Sequence, residues 1–312
     1  MRSSLTNGMY YNVVCLFRYV GYALIPALVL LLALFVATVL SYFIVHFLSD
    51  AVPLRQLISR ITQGLLVLSI FPLLSYLKIN KQDFGYAPLS LFFKQLGLGF
   101  GMGFIVLIPV FLVLYFLNII VINKAQPWGW GIMSTTLIIN LGLALLIALV
   151  EESLFRGLLW SSLSKKLPAI MAVILSAIYF AGLHFLTTKT NLPTSTLTIW
   201  SGFGLWPEAF ANVISSKNAS GLIALLMVGI FLALLRTQYS VSLGICMGCH
   251  CSWVWQIKTC KKFFNTNVTS PYHDWVSSYD GITGPLVSAW LAIIILAYFT
   301  YRYLADKSRL SH

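Results

Sequence analysis

Apolar positions run along this chain in long blocks separated by short polar ones. They do not alternate as in half-buried strands, and few blocks show the polar stripe of a soluble surface helix. Crossing a hydrocarbon core of ~30 Å takes ~20 apolar residues in a helix. Blocks of that order fall at about 19–48, 57–77, 93–122, 136–163, 168–187, 219–236, 238–257 and 283–304. The breaks lie at Asp50 and Pro53 and at 78–83, 124–127, 165–168 and 258–280, where Lys, Asp and Pro collect. Residues 196–213, with Trp200, Trp206, Pro207 and Glu208, are aromatic and broken. They predict an interfacial or re-entrant segment, not a spanning helix. The expected fold class is therefore all-α, a polytopic transmembrane helical bundle of about eight helices.

Composition agrees with this pattern. Of 312 residues, 59% are hydrophobic and 9% charged, against about 25% charged in a soluble domain. The net charge of +12 is spread over the breaks instead of being gathered on one segment, the habit of loops at an anionic bilayer surface. The expected partner of that charge is the lipid bilayer, and no nucleic acid is implied. If eight helices alternate, the N-terminal side holds twelve of the twenty Lys and Arg residues, which favours cytoplasmic termini. The first apolar run is too long for the core of a cleaved signal peptide. Five Cys residues, three of them at 246, 249 and 251 within an apolar stretch, do not form a secreted disulfide framework and are expected to be reduced.

Only three Glu residues occur, and two of them, Glu151 and Glu152, stand together after an apolar run. The apolar pattern continues through Phe155, Leu158, Leu159 and Trp160 to Lys165 and Lys166, so the interface matches the lysines and the carboxylates fall within the membrane. A charge at that depth costs about 3 kcal/mol on insertion scales, and such residues usually serve function. Arg156 follows Glu152 by four residues, the spacing at which opposite charges meet on a helix. Glu151, rotated by about 100°, is left free to hold a proton or a water.

Measured from the turn at 165–168, Glu151 and His184 each lie about 16 residues away, or ~24 Å along antiparallel helices. His250 lies about 13 residues beyond the next turn on the same side, or ~20 Å deep. Three ionisable groups are thus expected in one layer. His46, His273 and His312 lie at ends or in loops and lack such agreement.

Two motifs sit on these positions: EESLFR at 151–156 and FAGLH at 180–184. In order and spacing they resemble the E-E-x-x-x-R and F-x-x-x-H motifs of the CAAX-protease and bacteriocin-processing family of intramembrane endopeptidases. The resemblance covers roughly residues 133–258. It implies a catalytic core at 131–258, preceded by N-terminal transmembrane helices at 1–130 and followed by a polar loop and a last helix at 259–312.

The resemblance also implies roles. Glu151 would be the general base that activates water, His184 would help orient that water, and His250 would polarise the scissile carbonyl. Glu152, Arg156 and Phe180 would support them. A third family motif pairs the last His with an Asn four residues on, and here that position is Val254, which cannot donate to an oxyanion. Gln256 or a backbone donor is the expected substitute.

No cofactor is needed for a glutamate mechanism. A zinc ion held by Glu151, His184 and His250 is the alternative, because one carboxylate and two imidazoles can form a catalytic zinc site. A peptide or protein substrate at the membrane is implied, and the modest length points to a multi-pass protein of the bacterial cytoplasmic membrane. An ion- or proton-coupled transporter and an inactive family member are the competing functions; the repeated halves expected of a transporter are not visible. The C-x-x-C-H pattern at 246–250 matches haem attachment, but it lies in an apolar run.

Overall fold

The computed structural model describes residues 2–48, 52–238 and 242–310; Asp50 and His312 lie outside them. Its long helices are α1 (Arg2–Val45), α2 (Leu54–Tyr76), α4 (Leu89–Phe116), α5 (Trp130–Glu152), α7 (Ala169–Phe185), α9 (Ala219–Gln238), α10 (Leu243–Phe263) and α11 (Pro285–Leu310), with short helices α3 (Lys81–Phe84), α6 (Trp160–Ser164) and α8 (Trp206–Val213) between them. A π-helical segment, Ser153–Leu159, joins α5 to α6. Each of the eight expected apolar blocks is a helix, and the protein is a polytopic helical bundle.

Six spans are long and apolar enough to cross a membrane, and α7, with 17 residues, is shorter. Helix α10 is not among the six. Its 21 residues include four Cys, His250, Gln256 and three Lys. Apolarity is demanded only where a helix meets lipid, and α10 is packed mainly against α4 and α5 and also against α9. Thirteen of its residues are buried. The two helices that fall short of an independent span are the two that carry His184 and His250.

Small residues bring α10 in. A Cβ added to Gly248 would stand 2.1 Å from the carbonyl oxygen of Leu96, and one on Gly99 would stand 2.2 Å from that of Ile245. Gly99 and Gly103 on α4 therefore meet the backbone of α10 at Ile245 and Cys249, and Gly244 and Gly248 on α10 meet that of α4 at Phe92 and Leu96, the way membrane helices gain dispersion energy without a hydrophobic driving force.

Several boundaries differ from the sequence expectation, the farthest at α1, which begins at Arg2 instead of about 19. The block at 93–122 stops being helical at Phe116, and Asn118 takes φ 53°. Residues Ile120–Ile122 then form β1, which pairs antiparallel with β2 (Phe264–Thr266), Val121 standing opposite Asn265. Two of the three β1 residues are Ile and one is Val. Branching at Cβ suits a strand, which apolarity alone does not distinguish from the end of a helix. Helix α10 also continues to Phe263, beyond the expected 257. Residues 196–213 are not a spanning helix; they make short 3₁₀ turns and α8.

Candidate active site

The π-helical segment sets the site. A run with i→i+5 bonds inside an α-helix is rare and tends to occur at functional positions. Here outside donors serve its carbonyls. Ser176 Oγ on α7 donates to Phe155 O at 3.3 Å, and Arg236 Nε on α9 donates to Arg156 O at 3.3 Å. Arg236 is almost fully buried and also donates to Asp83 O at 2.7 Å, with its guanidinium 4.7 Å from the Trp160 ring. This buried arginine was not singled out from sequence, where it reads as the end of an apolar block. Its role as a tie between α3, α6 and α9 exists only once they pack.

Immediately before the π segment the two carboxylates diverge. Glu152 is fully buried and receives Arg156 Nη1 at 3.0 Å, as the four-residue spacing anticipates. Arg156 Nη2 continues to Gly229 O at 3.1 Å, and its guanidinium lies 4.5 Å from the Phe180 ring centre. The same Glu152 Oε1 faces His250 Nδ1 at 2.8 Å. A carboxylate can only accept, so that nitrogen carries hydrogen. His184 Nδ1 faces the carbonyl of Phe180 at 2.7 Å and is a donor by the same reasoning.

Both imidazoles consequently present Nε2 elsewhere, and both present it to one atom. His184 Nε2 lies 3.8 Å and His250 Nε2 3.7 Å from Glu151 Oε2. The side chains are 19%, 7% and 27% exposed for His184, His250 and Glu151. Glu151 Oε2 is buried and has no hydrogen-bond partner in the protein. Contacts of 3.7–3.8 Å are too long for direct hydrogen bonds, and they suit one water shared by the carboxylate and the rings. The Phe180 ring, part of the core, lies against both imidazoles, with centroids 4.7 Å from His184 and 5.9 Å from His250. Phe155 meets Phe180 edge-on at 5.1 Å.

As zinc ligands, one carboxylate and two imidazoles have the right chemistry. Donors ~2.0–2.1 Å from a tetrahedral zinc stand about 3.4 Å apart, and these stand wider. Among the described residues, no group of three or more His, Cys, Asp or Glu side chains is arranged to hold a metal ion. Cys246, Cys249, Cys251 and Cys260 are free and buried. Cys246 and Cys249 are wholly enclosed, which leaves no room for a haem thioether.

Glu151, His184 and His250 line one cavity of about 410 Å³ whose other walls include Val254 and Tyr279. Glu151, His184 and Tyr279 also line a second cavity of about 700 Å³ that reaches the polar face of α2 at Arg55, Ser59 and Gln63. Val254 therefore does line the cavity that Glu151, His184 and His250 share. Gln256 does not substitute for the missing Asn: its Nε2 is turned to Ser252 O at 3.2 Å, Ser252 Oγ at 3.1 Å and Gly103 O at 3.4 Å.

Tyr279 was missed from sequence. It lies in the loop between β2 and α11, with its ring 6.3 Å from His184 and 5.1 Å from Phe185. Its phenol is pushed well above the ordinary tyrosine value, first by desolvation and then by the charges of Asp280 and Glu151, so it stays a hydrogen-bond donor. Nothing in a polar loop between two helices signals that one aromatic folds back to the depth of α7. His46 and His273 lie away from the cavity walls.

The fold and this cavity define a class: a multi-pass helical membrane protein with an acid–imidazole cluster inside the bundle. Residues 132–256 match the family model of the Rce1-like type II CAAX prenyl endopeptidases. That span, 125 of the 312 residues, is similar to the CAAX protease family and contains Glu151, Glu152, Arg156, Phe180, His184 and His250. No curated protein and no solved structure matches the chain.

Proposed function

We propose that the chain is an intramembrane endopeptidase in which Glu151 activates water against a peptide bond. The observation that carries this reading is the buried, unpartnered Glu151 Oε2 with two imidazole Nε2 atoms 3.7 and 3.8 Å away. A water in contact with these groups loses a proton to Glu151 as its oxygen bonds to the scissile carbonyl carbon. His184, its Nδ1–H fixed on the Phe180 carbonyl, accepts a hydrogen bond at Nε2 from the second water hydrogen, which stays on the oxygen, and so aims that oxygen. His250, tethered by Glu152 through Nδ1, turns Nε2 to the scissile carbonyl, polarises it and stabilises the developing oxyanion.

Tyr279 supplies the second donor that the family motif would take from an Asn. Collapse of the intermediate breaks the C–N bond, and Glu151 returns its proton to the leaving amine. Val254 then serves only as an apolar wall. The substrate is a peptide or protein segment reaching the cavity from the membrane.

Glu151→Gln keeps the shape but removes the base. It is expected to lower peptide cleavage in proteoliposomes by at least ~100-fold while leaving the thermal midpoint in detergent unchanged. Undiminished cleavage would remove Glu151 from the mechanism. Wild-type cleavage that vanishes on chelation and returns with zinc would replace the glutamate mechanism by a metal one. A wild type that moves an ion across the bilayer and cleaves nothing would replace the endopeptidase by a transporter.

A further inference from the structure

A cleft of about 900 Å³ opens between the first turns of α5 and the last turns of α10. Residue spacing builds its polar walls. Lys258, Lys261 and Lys262 fall at i, i+3 and i+4 on α10, and Thr136 and Asn140 fall at i and i+4 on α5 with Thr135 beside them. Such spacings put side chains on one helix face. No acidic residue lines the cleft, and among the described residues none of the three ammonium groups has a carboxylate within 4.0 Å. Asn140 Nδ2 donates to Thr259 Oγ1 at 3.3 Å, and the second hydrogen of that amide adds a neutral donor to the wall.

The cleft opens at the level of an aromatic belt. Trp128 packs on Phe263 with ring centres 5.1 Å apart, and Trp128 and Trp130 are both exposed, as tryptophans are at the headgroup level of a bilayer. Lys262 immediately precedes Phe263, and Lys258 lies about 6 Å further along α10 toward the bilayer centre at ~1.5 Å per residue. On α5 the exposed Ile132, Ile139 and Leu143 form one apolar stripe, because steps of seven and eleven residues each return to within about 20° of the starting direction. The stripe begins in the cleft, which Ile132 and Ile139 line, and runs on past it. A basic pocket at headgroup level with a lipid-facing apolar stripe below it has the two-part shape of a phospholipid.

We propose that the cleft between α5 and α10 binds one anionic glycerophospholipid, its phosphate held by Lys258, Lys261 and Lys262 and an acyl chain laid along Ile132, Ile139 and Leu143. Basic pockets between membrane helices suit such headgroups. Lys258 and Lys261 also border the cavity that Glu151 lines, whereas Lys262, Thr135, Thr136 and Asn140 do not. The lipid therefore stands beside the reaction cavity and not in it. Interfacial lysines have a simpler role as well, since they complement the C-terminal dipole of α10 and attract any anionic surface. That role needs no cleft, and exposed lysines elsewhere fill it equally.

The experiment uses the full-length protein in neutral detergent, with bound lipid counted by native mass spectrometry and no peptide present. Its probes are phosphatidylglycerol and phosphatidylcholine with identical acyl chains, and inorganic phosphate as the anion without a chain. One phosphatidylglycerol per protein is expected, held about a hundredfold more tightly than phosphatidylcholine, at about fivefold for each neighbouring lysine. Lys262→Met should lower that preference about fivefold. Lys258→Met with Lys261→Met and Lys262→Met should abolish it, and Arg at the same three positions should restore it.

Removing three exposed lysines elsewhere, by Lys81→Met with Lys94→Met and Lys307→Met, should leave the preference in place. Equal losses in the two triple variants would overturn the site in favour of general surface attraction. Equal affinity of the wild type for the two phospholipids would overturn it outright, and so would displacement of the lipid by an equal concentration of inorganic phosphate. If the cleft triple variant fails to fold, the wild-type comparison and Lys262→Met still decide.

Discussion

Glu151 and Glu152 are adjacent in sequence and chemically identical, yet they occupy opposite halves of the site. Glu152 is sealed: fully buried, it is held by Arg156 and in turn holds His250 Nδ1. Glu151 is open: it borders two cavities and leaves its Oε2 unpartnered. The third glutamate, Glu208 on α8, is surface-facing and takes a hydroxyl donor from Thr188 and the Lys189 amide at 2.9 Å. Three identical groups thus serve as a structural counter-ion, a candidate base and a loop clasp. The environment assigns the role, because the cost of a charge depends on what replaces its water.

The sealed half makes the largest prediction. Arg156→Ala strands the Glu152 charge without its cation, and breaking a buried pair costs ~3–5 kcal/mol. The loss should appear as a lowered unfolding midpoint in detergent. An unchanged midpoint would show that Arg156 does not hold Glu152.

The open half is sharpened by Tyr279→Phe. Loss of one oxyanion donor costs about 10²–10³ in kcat, so a fall of about a hundredfold in kcat with little change in KM and an unaltered midpoint is expected. Because the phenol titrates above its ordinary range, wild-type kcat should not fall through tyrosine ionisation as pH rises to about 10. A change confined to KM would make Tyr279 a substrate contact only.

The smallest effect belongs to Glu208. Its carboxyl is held down to about 2, first by the Thr188 hydroxyl, then by the Thr190 side chain and the Lys189 amide. A depressed folded value stabilises the loop above the ordinary glutamate range of ~4.3 and is lost as pH falls through about 2. Glu208→Gln should speed hydrogen exchange of the Lys189 amide without altering the global midpoint. Equal exchange in wild type and variant at pH 6 would show that the clasp does not order the loop.

The lengths of the apolar blocks were sufficient for the eight helices, because lipid imposes a minimum apolar length that few other structures need. It also sufficed for the Glu152–Arg156 pair, since four residues on a helix bring two side chains together whatever surrounds them. The shared depth of Glu151, His184 and His250 followed from counting residues along helices joined by short turns. Apolarity could not separate a strand from a helix end at Ile120–Ile122, and it could not show that α10 lies inside the bundle.

Only tertiary structure decided the rest. The π-helical turn after Glu152 depends on outside donors from Ser176 and Arg236. The turning of Gln256 away from the cavity depends on contact with Ser252 and Gly103. The arrival of Tyr279 beside His184 depends on how the loop before α11 folds back. Local spacing determines what one helix presents; which groups meet across helices depends on packing between residues far apart in the chain, and no period along the sequence encodes that.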